Sequence, residues 1–265
     1  MVFVFLNLSL IAQERVHVFD EIRGDEIVLF ANNEEYCPVI LKLELTLQNL
    51  FPNDSLLQFI VPSRAQKHEL ISFKPVDYNS KANLNYDALW YLGNSELDNK
   101  EKRTKYILPY KIGKEYEVLQ VENGNFSHSG TNAIDIAMPE GAVISAARGG
   151  LVVAVEESNS ESCLEERCKE FGNFITIYHE EAGLFTHYVH LMQNGALVEI
   201  GDSIIAGQEI ALSGNTGYSA EPHLHFEVFQ QIWDKTITHR VGFVTSEDPD
   251  LLEFLKQDKR YKRKY

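Results

Sequence analysis

The sequence has few cysteines, little glycine or proline, and no long apolar run. Its 265 residues include 3 cysteines, 16 glycines and 8 prolines. Collagen-like, low-complexity and integral-membrane chains are therefore excluded as descriptions of it. Hydrophobic residues make up 44% and charged residues 24% of the chain. This composition is typical of a soluble globular protein, and the length suits two domains.

Positive charge is also scarce. Lysine and arginine number 24 against 39 aspartates and glutamates, which gives a net charge of −15. Generic nucleic-acid binding needs a positive surface facing the phosphates, so we expect no nucleic-acid partner. The last ten residues are an exception, and we interpret their cations as a solvated charge run. These cations are Lys256, Lys259, Arg260, Lys262, Arg263 and Lys264.

The apolar run at the start, Val2 to Ala12, has 11 residues. A membrane-spanning helix needs about 20, so we predict no transmembrane segment in the mature chain. The run fits the apolar part of a signal peptide over residues 1–12, with cleavage near Ala12. This predicts export to the periplasm or the cell surface. The alternative is a buried first strand.

The cysteines also bear on whether the chain is exported. Cys163 and Cys168 are five positions apart in an acidic segment, and no second pair exists that would complete a metal site. We interpret them as a short surface disulfide, which needs an oxidising compartment. Two free surface thiols remain the alternative. Cys37 is predicted to be a buried free thiol.

Strand patterns dominate the sequence. Leu41, Leu43, Leu45 and Leu47 alternate with polar residues, and no amphipathic helix occurs in the first hundred residues. The pattern predicts an all-β chain whose first domain is an antiparallel sandwich. The predicted organisation is a β-domain at 13–93, a charged linker at 94–105, a second, nearly all-β domain at 106–235, and an extension at 236–265. In the extension we predict one short helix, Pro249–Gln257, before the basic tail.

Histidines and one aspartate form a candidate metal site. His223 and His225 are two apart, so in a strand both project from one face. Asp135 lies inside an apolar strand, where a carboxylate is costly unless it is paired or binds a metal. His128 precedes it in a turn, and His190 ends another strand. Two histidines, one carboxylate and an open position are typical of catalytic zinc. The alternative for Asp135 is a partner among arginines or backbone donors.

Four segments together resemble the lysostaphin-like (LytM-type) zinc metallopeptidases. They are SHSGTNAIDIAMPEGAVISAARGGLVVAV, THYVHL, GDSIIAGQEIALSGNTG and EPHLHFEV, within about Leu108 to Phe229. The resemblance implies a small antiparallel β-domain with a groove, one zinc ion per chain, and endopeptidase action on peptidoglycan peptide cross-links. Carried over by position, it implies the metal ligands His128, Asp135 and His225, and the catalytic histidines His190 and His223. Many members place three residues between the first histidine and the aspartate, whereas here there are six.

The residues leave several roles open. Either His190 or His223 could accept a proton while the other stabilises an oxyanion. No His-Glu-x-x-His helix is present to supply a glutamate base. Glu227 shares a strand face with His225, where it either orients that ring or simply faces solvent. His187 is an odd number of residues from His190, so we expect it to face the other way as an ordinary surface or packed histidine.

Three rival functions are compatible with parts of the sequence. The first is a non-catalytic scaffold or activator of another cell-wall hydrolase, which zinc content would distinguish. The second is a zinc endopeptidase that acts on a protein, because ligands do not define a substrate. The third is a biotinyl or lipoyl carrier domain, suggested by VEIGDSIIAGQEIALSG, but that stretch has no lysine to modify.

Overall fold

A computed structural model describes residues 15–55, 57–96, 105–124 and 128–264. The predicted signal peptide, residues 1–12, and most of the predicted linker, residues 97–104, lie outside the described residues. No helix within the described ranges is long and apolar enough to cross a membrane.

The described residues form two compact units. The first consists of 15–96 together with 231–235, and the second of 105–230 together with 236–264. The domain boundaries predicted above stay predictions.

The first unit is a β-sandwich. Its strands are β1 Val16–Arg23, β2 Glu26–Asn33, β3 Val39–Gln48, β4 Leu50–Pro52, β5 Gln58–Val61, β6 His68–Pro75 and β7 Asn83–Leu92. They form two sheets, in the orders β1-β2-β6-β4 and β5-β3-β7. Along β3, Leu41 and Leu43 are buried while Lys42 and Glu44 are exposed, as the alternation predicts. Both sheets contribute to one apolar core, which also contains the fully buried Phe73.

The regular structure of the second unit is also almost all strand, so the all-β prediction is confirmed. A 3-10 helix spans Glu166–Phe171. Strands β8 to β15 are Tyr106–Ile107, Glu115–Gln120, Ala133–Ile136, Val143–Ser145, Gly150–Glu156, Ser162–Cys163, Phe174–His179 and Leu184–Val189. Strands β16 to β24 are Leu191–Ala196, Ser203–Ile204, Glu209–Ser213, Gly217–Tyr218, Leu224–Ile232, Lys235–Thr238, Phe243–Val244, Leu252–Glu253 and Arg260–Lys262.

A nine-stranded sheet organises this unit. Its order is β17-β12-β14-β15-β20-β10-β9-β24, with β21 also paired to β20, and neighbours along the main path are antiparallel. One face of the sheet contributes to an apolar core, to which the smaller sheet β11-β18-β16 also contributes. Leu224, Phe226 and Val228 of β20 belong to that core. The intervening residues His225 and Glu227 therefore project from the opposite face.

The predicted helix Pro249–Gln257 is wrong. Leu252 and Glu253 form β23 and pair with Val244 and Phe243 of β22, and the rest of the segment is irregular. The Thr245 hydroxyl also donates to a carboxylate oxygen of Glu253 at 2.8 Å. Tertiary pairing has overridden the local helical preference of this run.

The basic tail is not simply a solvated run of charge. Its strand β24 pairs with β9, and Tyr261 and Arg263 are buried while Arg260 and Lys262 are exposed. The Arg263 guanidinium donates to the Tyr110 carbonyl oxygen at 2.6 Å. The predicted solvated run is therefore wrong: the tail is a strand whose side chains alternate between buried and exposed. Arg263 can be buried because its apolar stem tolerates burial and its guanidinium has an acceptor.

Candidate metal centre

Three neighbouring strands place polar side chains in one row. In the antiparallel register, Asp135 of β10 lies opposite His225 of β20 on one side and Gln120 of β9 on the other. Directly opposed residues share a face and lie close together. Ile134 and Ile136 point to the core instead, as the sequence predicts. The strand pairing thus assembles this part of the site.

His128, Asp135 and His225 converge on one point. The Asp135 Oδ1 atom lies 3.2 Å from His128 Nε2 and 2.9 Å from His225 Nδ1. The two ring nitrogens are 3.3 Å apart. Zinc bonds of 2.0–2.1 Å in a tetrahedral arrangement separate ligand atoms by about 3.4 Å. The three donor atoms therefore fit one zinc ion.

Outer contacts orient two of these ligands. The His128 ring is almost completely buried, and its Nδ1 lies 3.1 Å from the Val121 carbonyl oxygen. Because a carbonyl only accepts, Nδ1 carries the proton and Nε2 keeps its lone pair for a metal. Gln120 donates from Nε2 to Asp135 Oδ2 at 3.1 Å, which leaves Oδ1 facing the two imidazoles. Residues 125–127, just before His128, are outside the described ranges.

The electrostatics match a cation site. Burial alone would raise the pKa of Asp135, but the rings of His128 and His225 beside it outweigh burial and hold that pKa well below its usual range. Burial lowers the pKa of His225, but the Asp135 carboxylate outweighs it, so that the pKa is raised. The carboxylate is therefore ionised at neutral pH, as a metal ligand must be.

His190 and His223 lie beside the three candidate ligands. Their ring centroids are 4.6 Å apart, and His190 is 5.9 Å from the His225 ring. The Nδ1 of His223 donates to the Glu221 carbonyl at 2.8 Å, and its Nε2 lies 3.7 Å from Asp135 Oδ1. The Nδ1 of His190 donates to the Thr216 carbonyl at 2.6 Å. Nδ1 therefore carries a proton in both rings.

His190 is neutral by a wide margin. Burial, and then the nearby rings of His223 and His225, lower the pKa of His190 to about 3. A neutral imidazole whose Nδ1 proton is fixed by a carbonyl can accept a proton or a hydrogen bond only at Nε2.

The backbone at His190 corrects the expectation for His187. His190 follows β15 and has a φ of +64°, in the left-handed region. This conformation interrupts the strand alternation, so the odd spacing does not separate the two side chains by face. His187 lies opposite Glu227 in the register and therefore on the same face as His225. The sequence predicted either a surface or a packed histidine, and His187 is packed. Its Nδ1 is bonded to the Thr176 hydroxyl at 2.8 Å.

Glu227 also lies on this face, as predicted. Its backbone pairs within the sheet, but its carboxylate makes no hydrogen bond or ion pair with a described residue. Its carboxylate nevertheless contributes to raising the pKa of His225, while burial raises the pKa of Glu227 itself. Its influence on the site is electrostatic.

The chain around His190 is held by a small buried network. The Thr216 hydroxyl accepts a hydrogen bond from the Asn173 backbone amide at 3.0 Å and donates one to the Leu191 carbonyl at 2.8 Å. The Gly214 amide donates to the His190 carbonyl at 3.0 Å. A Cβ on Gly214 would lie 2.4 Å from the Met192 backbone nitrogen, so only glycine allows this close approach.

The disulfide borders the same region. Cys163 and Cys168 are joined, with Cα atoms 5.7 Å apart. Cys168 is buried rather than on the surface as predicted. The strand β13 that carries Cys163 runs parallel to β19, and the Gly217 amide donates to the Glu161 carbonyl at 2.7 Å. Cys37 is a buried free thiol, as predicted.

Two orienting residues were not found from the sequence. The sequence signal for Gln120 is weak. It follows Tyr116 and Val118 at a spacing of two, where an apolar residue would continue the strand pattern, and its amide is buried. Thr216 has none, because its role comes from backbone and hydroxyl contacts to distant segments. His179 lies outside this site; it is buried and bonded to the Gly149 carbonyl and the Thr186 hydroxyl.

Comparison with known proteins finds a matching protein family. Residues 129–236 match the family described as Peptidase family M23. The matched segment contains four of the five candidate site residues, Asp135, His190, His223 and His225, and begins one residue after His128.

Three curated relatives share part of the chain. An uncharacterized metalloprotease of Buchnera aphidicola is 31% identical over 71% of this chain and 49% of its own length. The peptidoglycan DD-endopeptidase ShyA of Vibrio cholerae is 36% identical over 38% of this chain and 20% of its own. A glycyl-glycine endopeptidase of Staphylococcus capitis is 30% identical over 66% of this chain and 37% of its own. The chain spans about half the length of the first relative and less of the other two.

Proposed function

We propose that this chain, a member of peptidase family M23, is an exported zinc-dependent endopeptidase that hydrolyses peptide cross-links of bacterial peptidoglycan. The observation that carries the proposal is the convergence of His128, Asp135 and His225, with donor atoms separated by 2.9 to 3.3 Å. Such a donor set, with two neutral imidazoles, one carboxylate and room for a fourth ligand, is typical of catalytic zinc.

The metal would be held by His128 Nε2, Asp135 Oδ1 and His225 Nδ1. A bound zinc ion supplies Lewis acidity, which lowers the pKa of water and polarises a carbonyl. Gln120 and the Val121 carbonyl keep two of the ligands in the binding orientation. Asp135 remains ionised because the two histidine rings beside its carboxylate favour the charged form.

His190 and His223 would handle protons and negative charge at the reacting carbonyl. Each donates from Nδ1 to a backbone carbonyl, so each presents Nε2 as a proton acceptor. Once protonated, either Nε2 can donate a hydrogen bond to an oxyanion. The short bond to the Thr216 carbonyl keeps His190 in the tautomer that this role needs.

The substrate class rests on the relatives. The Vibrio cholerae relative is named a peptidoglycan DD-endopeptidase, and the Staphylococcus capitis relative a glycyl-glycine endopeptidase. Both names specify an endopeptidase, and together they support a peptide cross-link as substrate without fixing which bond is cleaved.

Export is supported by two features. The apolar run at 2–12 has the composition of a signal peptide, and the Cys163–Cys168 disulfide needs an oxidising compartment. Fractionating cells that express the full chain, with sequencing of the mature amino terminus, tests it. A full-length chain found only in the cytoplasm with reduced cysteines would contradict export.

The test of the enzyme combines metal analysis with digestion. Wild-type protein should contain one zinc ion per chain and release soluble fragments from purified sacculi, which mass spectrometry then identifies. Asp135→Ala and His225→Ala should lose zinc and activity together, whereas His223→Ala should retain zinc and digest slowly.

Three outcomes would contradict the proposal. Normal digestion by Asp135→Ala would exclude the metal centre as the active site. Bound zinc without digestion of sacculi, but with cleavage of a protein, would favour the protein-substrate alternative. Absence of both metal and digestion would favour a scaffold.

A further inference from the structure

A polar cavity of about 420 Å³ lies beside His190. Its lining includes Thr216, the residue whose carbonyl accepts the His190 Nδ1 proton. A volume of this size is enough for one substituent of a substrate. The other polar lining residues are Glu140, Ser160, Ser162, Gln193 and Asn215. We call this space the Glu140 cavity.

Each amide side chain of the cavity is held by a hydrogen bond to a neighbouring residue. Asn215 donates from Nδ2 to Ser162 Oγ at 3.4 Å, and Gln193 donates from Nε2 to the Ser158 carbonyl at 2.8 Å. Asn215 Oδ1 in turn accepts from the Ser219 hydroxyl at 2.7 Å. The walls thus offer a ligand hydroxyl and amide groups, which both donate and accept, and one carboxylate, which only accepts.

Glu140 supplies the strongest of these acceptors. It is the only charged residue in the described lining, and its carboxylate makes no hydrogen bond or ion pair with any described residue. It projects from the turn at 139–141, which is anchored because the Gly141 amide donates to the Ser213 carbonyl at 2.7 Å. An anchored, unpaired carboxylate in a polar cavity favours a cationic donor and disfavours an anion.

We propose that the Glu140 cavity is a substrate subsite that binds a primary ammonium group of the peptide being cleaved. An ammonium carries one positive charge and three donors, which complements a carboxylate surrounded by hydroxyl and amide oxygens. The proposal rests on the proposed function, because the cavity adjoins the histidine assigned to the reaction. It adds a selectivity for amine-bearing peptides that the metal ligands themselves do not specify.

The test compares two substrates that differ only at their amino groups. One is a cross-linked muropeptide dimer with free amino groups, and the other is the same dimer after acetylation with acetic anhydride. Steady-state hydrolysis by the zinc-loaded full chain gives KM and kcat for each. The variants are Glu140→Gln and, as a matched control, Glu199→Gln, which removes an exposed carboxylate outside the cavity.

Acetylation should raise KM of the wild-type protein about fivefold, the size expected of a well-formed but solvent-exposed ion pair, with kcat unchanged. Glu140→Gln should raise KM for the free-amine dimer by a similar factor and should no longer distinguish the two substrates. Glu199→Gln should behave as the wild type does. Glu140→Lys should bind the acetylated dimer more tightly than the free-amine dimer.

The subsite is excluded if Glu140→Gln keeps the wild-type preference, or if the wild type cleaves both dimers with the same KM. Failure of the proposed function gives a different result, because the wild type then leaves both dimers intact. In that case calorimetric titration of the same two dimers decides the subsite. A loss of the affinity difference on Glu140→Gln supports it, and equal affinities for the wild type overturn it.

Discussion

At the scale of single residues, Gln120 restrains the carboxylate of the candidate metal centre. Its amide holds Asp135 Oδ2 and so determines which oxygen faces the imidazoles. We expect Gln120→Ala to weaken zinc affinity about tenfold, since loss of an outer contact to a metal ligand typically costs 10- to 100-fold. Competition with a chromophoric chelator measures this. Gln208→Ala, which removes an amide acceptor in a distant turn, is the control and should leave zinc affinity unchanged.

Residue patterns predicted the side chains that come together here but not the contacts that orient them. The His-x-His pair, Asp135 in its apolar strand and the family resemblance all point to residues that the structure brings within hydrogen-bond distance; their roles stay predictions. Gln120 was missed because nothing in a single strand specifies its cross-strand neighbour. The predicted orientation of the His187 side chain was wrong, because the alternation of side chains along a strand fails at a left-handed residue such as His190.

Gly214 gives a second prediction at this scale. A methyl group there would meet the Met192 backbone nitrogen at 2.4 Å, and backbone cannot move aside as a flexible side chain can. Gly214→Ala should therefore displace the strand end that bonds the His190 carbonyl, and should lower the free energy of unfolding by about 2 kcal/mol. Urea unfolding tests this. At Gly172 the nearest atom is the Val189 side chain at 3.4 Å, so Gly172→Ala is the control, and an equal loss in both variants would contradict the argument.

At the scale of elements, the last strand shows how tertiary contacts replace local preference. The sequence predicted a helix and a solvated tail after Val244, but β22–β23 pairing and the inward Arg263 determine this region. The reason is physical: β22, which pairs with β23, is itself paired with β8, and the tail bonds β9 and Tyr110, all more than a hundred residues earlier. Local periodicity carries no information about them.

The alternation along β24 predicts different effects for adjacent cations. Arg263→Met leaves the Tyr110 carbonyl without its guanidinium donor and should lower the free energy of unfolding by about 2 kcal/mol. Lys262→Met changes an exposed side chain and should stay within about 0.5 kcal/mol of the wild type. Denaturant unfolding of the two variants side by side measures the difference. Equal effects would mean that the tail is solvated after all.

At the scale of the whole molecule, buried histidines make stability sensitive to acid. Burial lowers the pKa of His179 to about 4 and that of His187 to about 3. Because an unfolded histidine titrates near 6.5, the unfolded state takes up protons first as the pH falls. The stabilising contribution is complete above pH 6.5 and is lost progressively as the pH falls towards 4.

For His179 alone, the free energy of unfolding should fall by about 2 kcal/mol between pH 7.5 and pH 5. Urea unfolding at several pH values, with chelator present to keep metal release from contributing, gives the profile. His179→Gln retains amide groups for the contacts to Gly149 and Thr186 but does not titrate, so its profile should be flatter by that amount. Parallel profiles would show that His179 does not contribute to the acid sensitivity.

The pairing of β10 with β20 has a genetic consequence. Asp135 lies opposite His225 only in the observed register, and its neighbours on either side are core isoleucines. Inserting or deleting a single codon within β10 would exchange the two faces, so that an isoleucine would stand where the carboxylate belongs and the carboxylate would enter the apolar interior. Reading-frame-preserving indels in this strand should therefore abolish metal binding and folding together, whereas conservative substitutions at the same positions can affect one and spare the other.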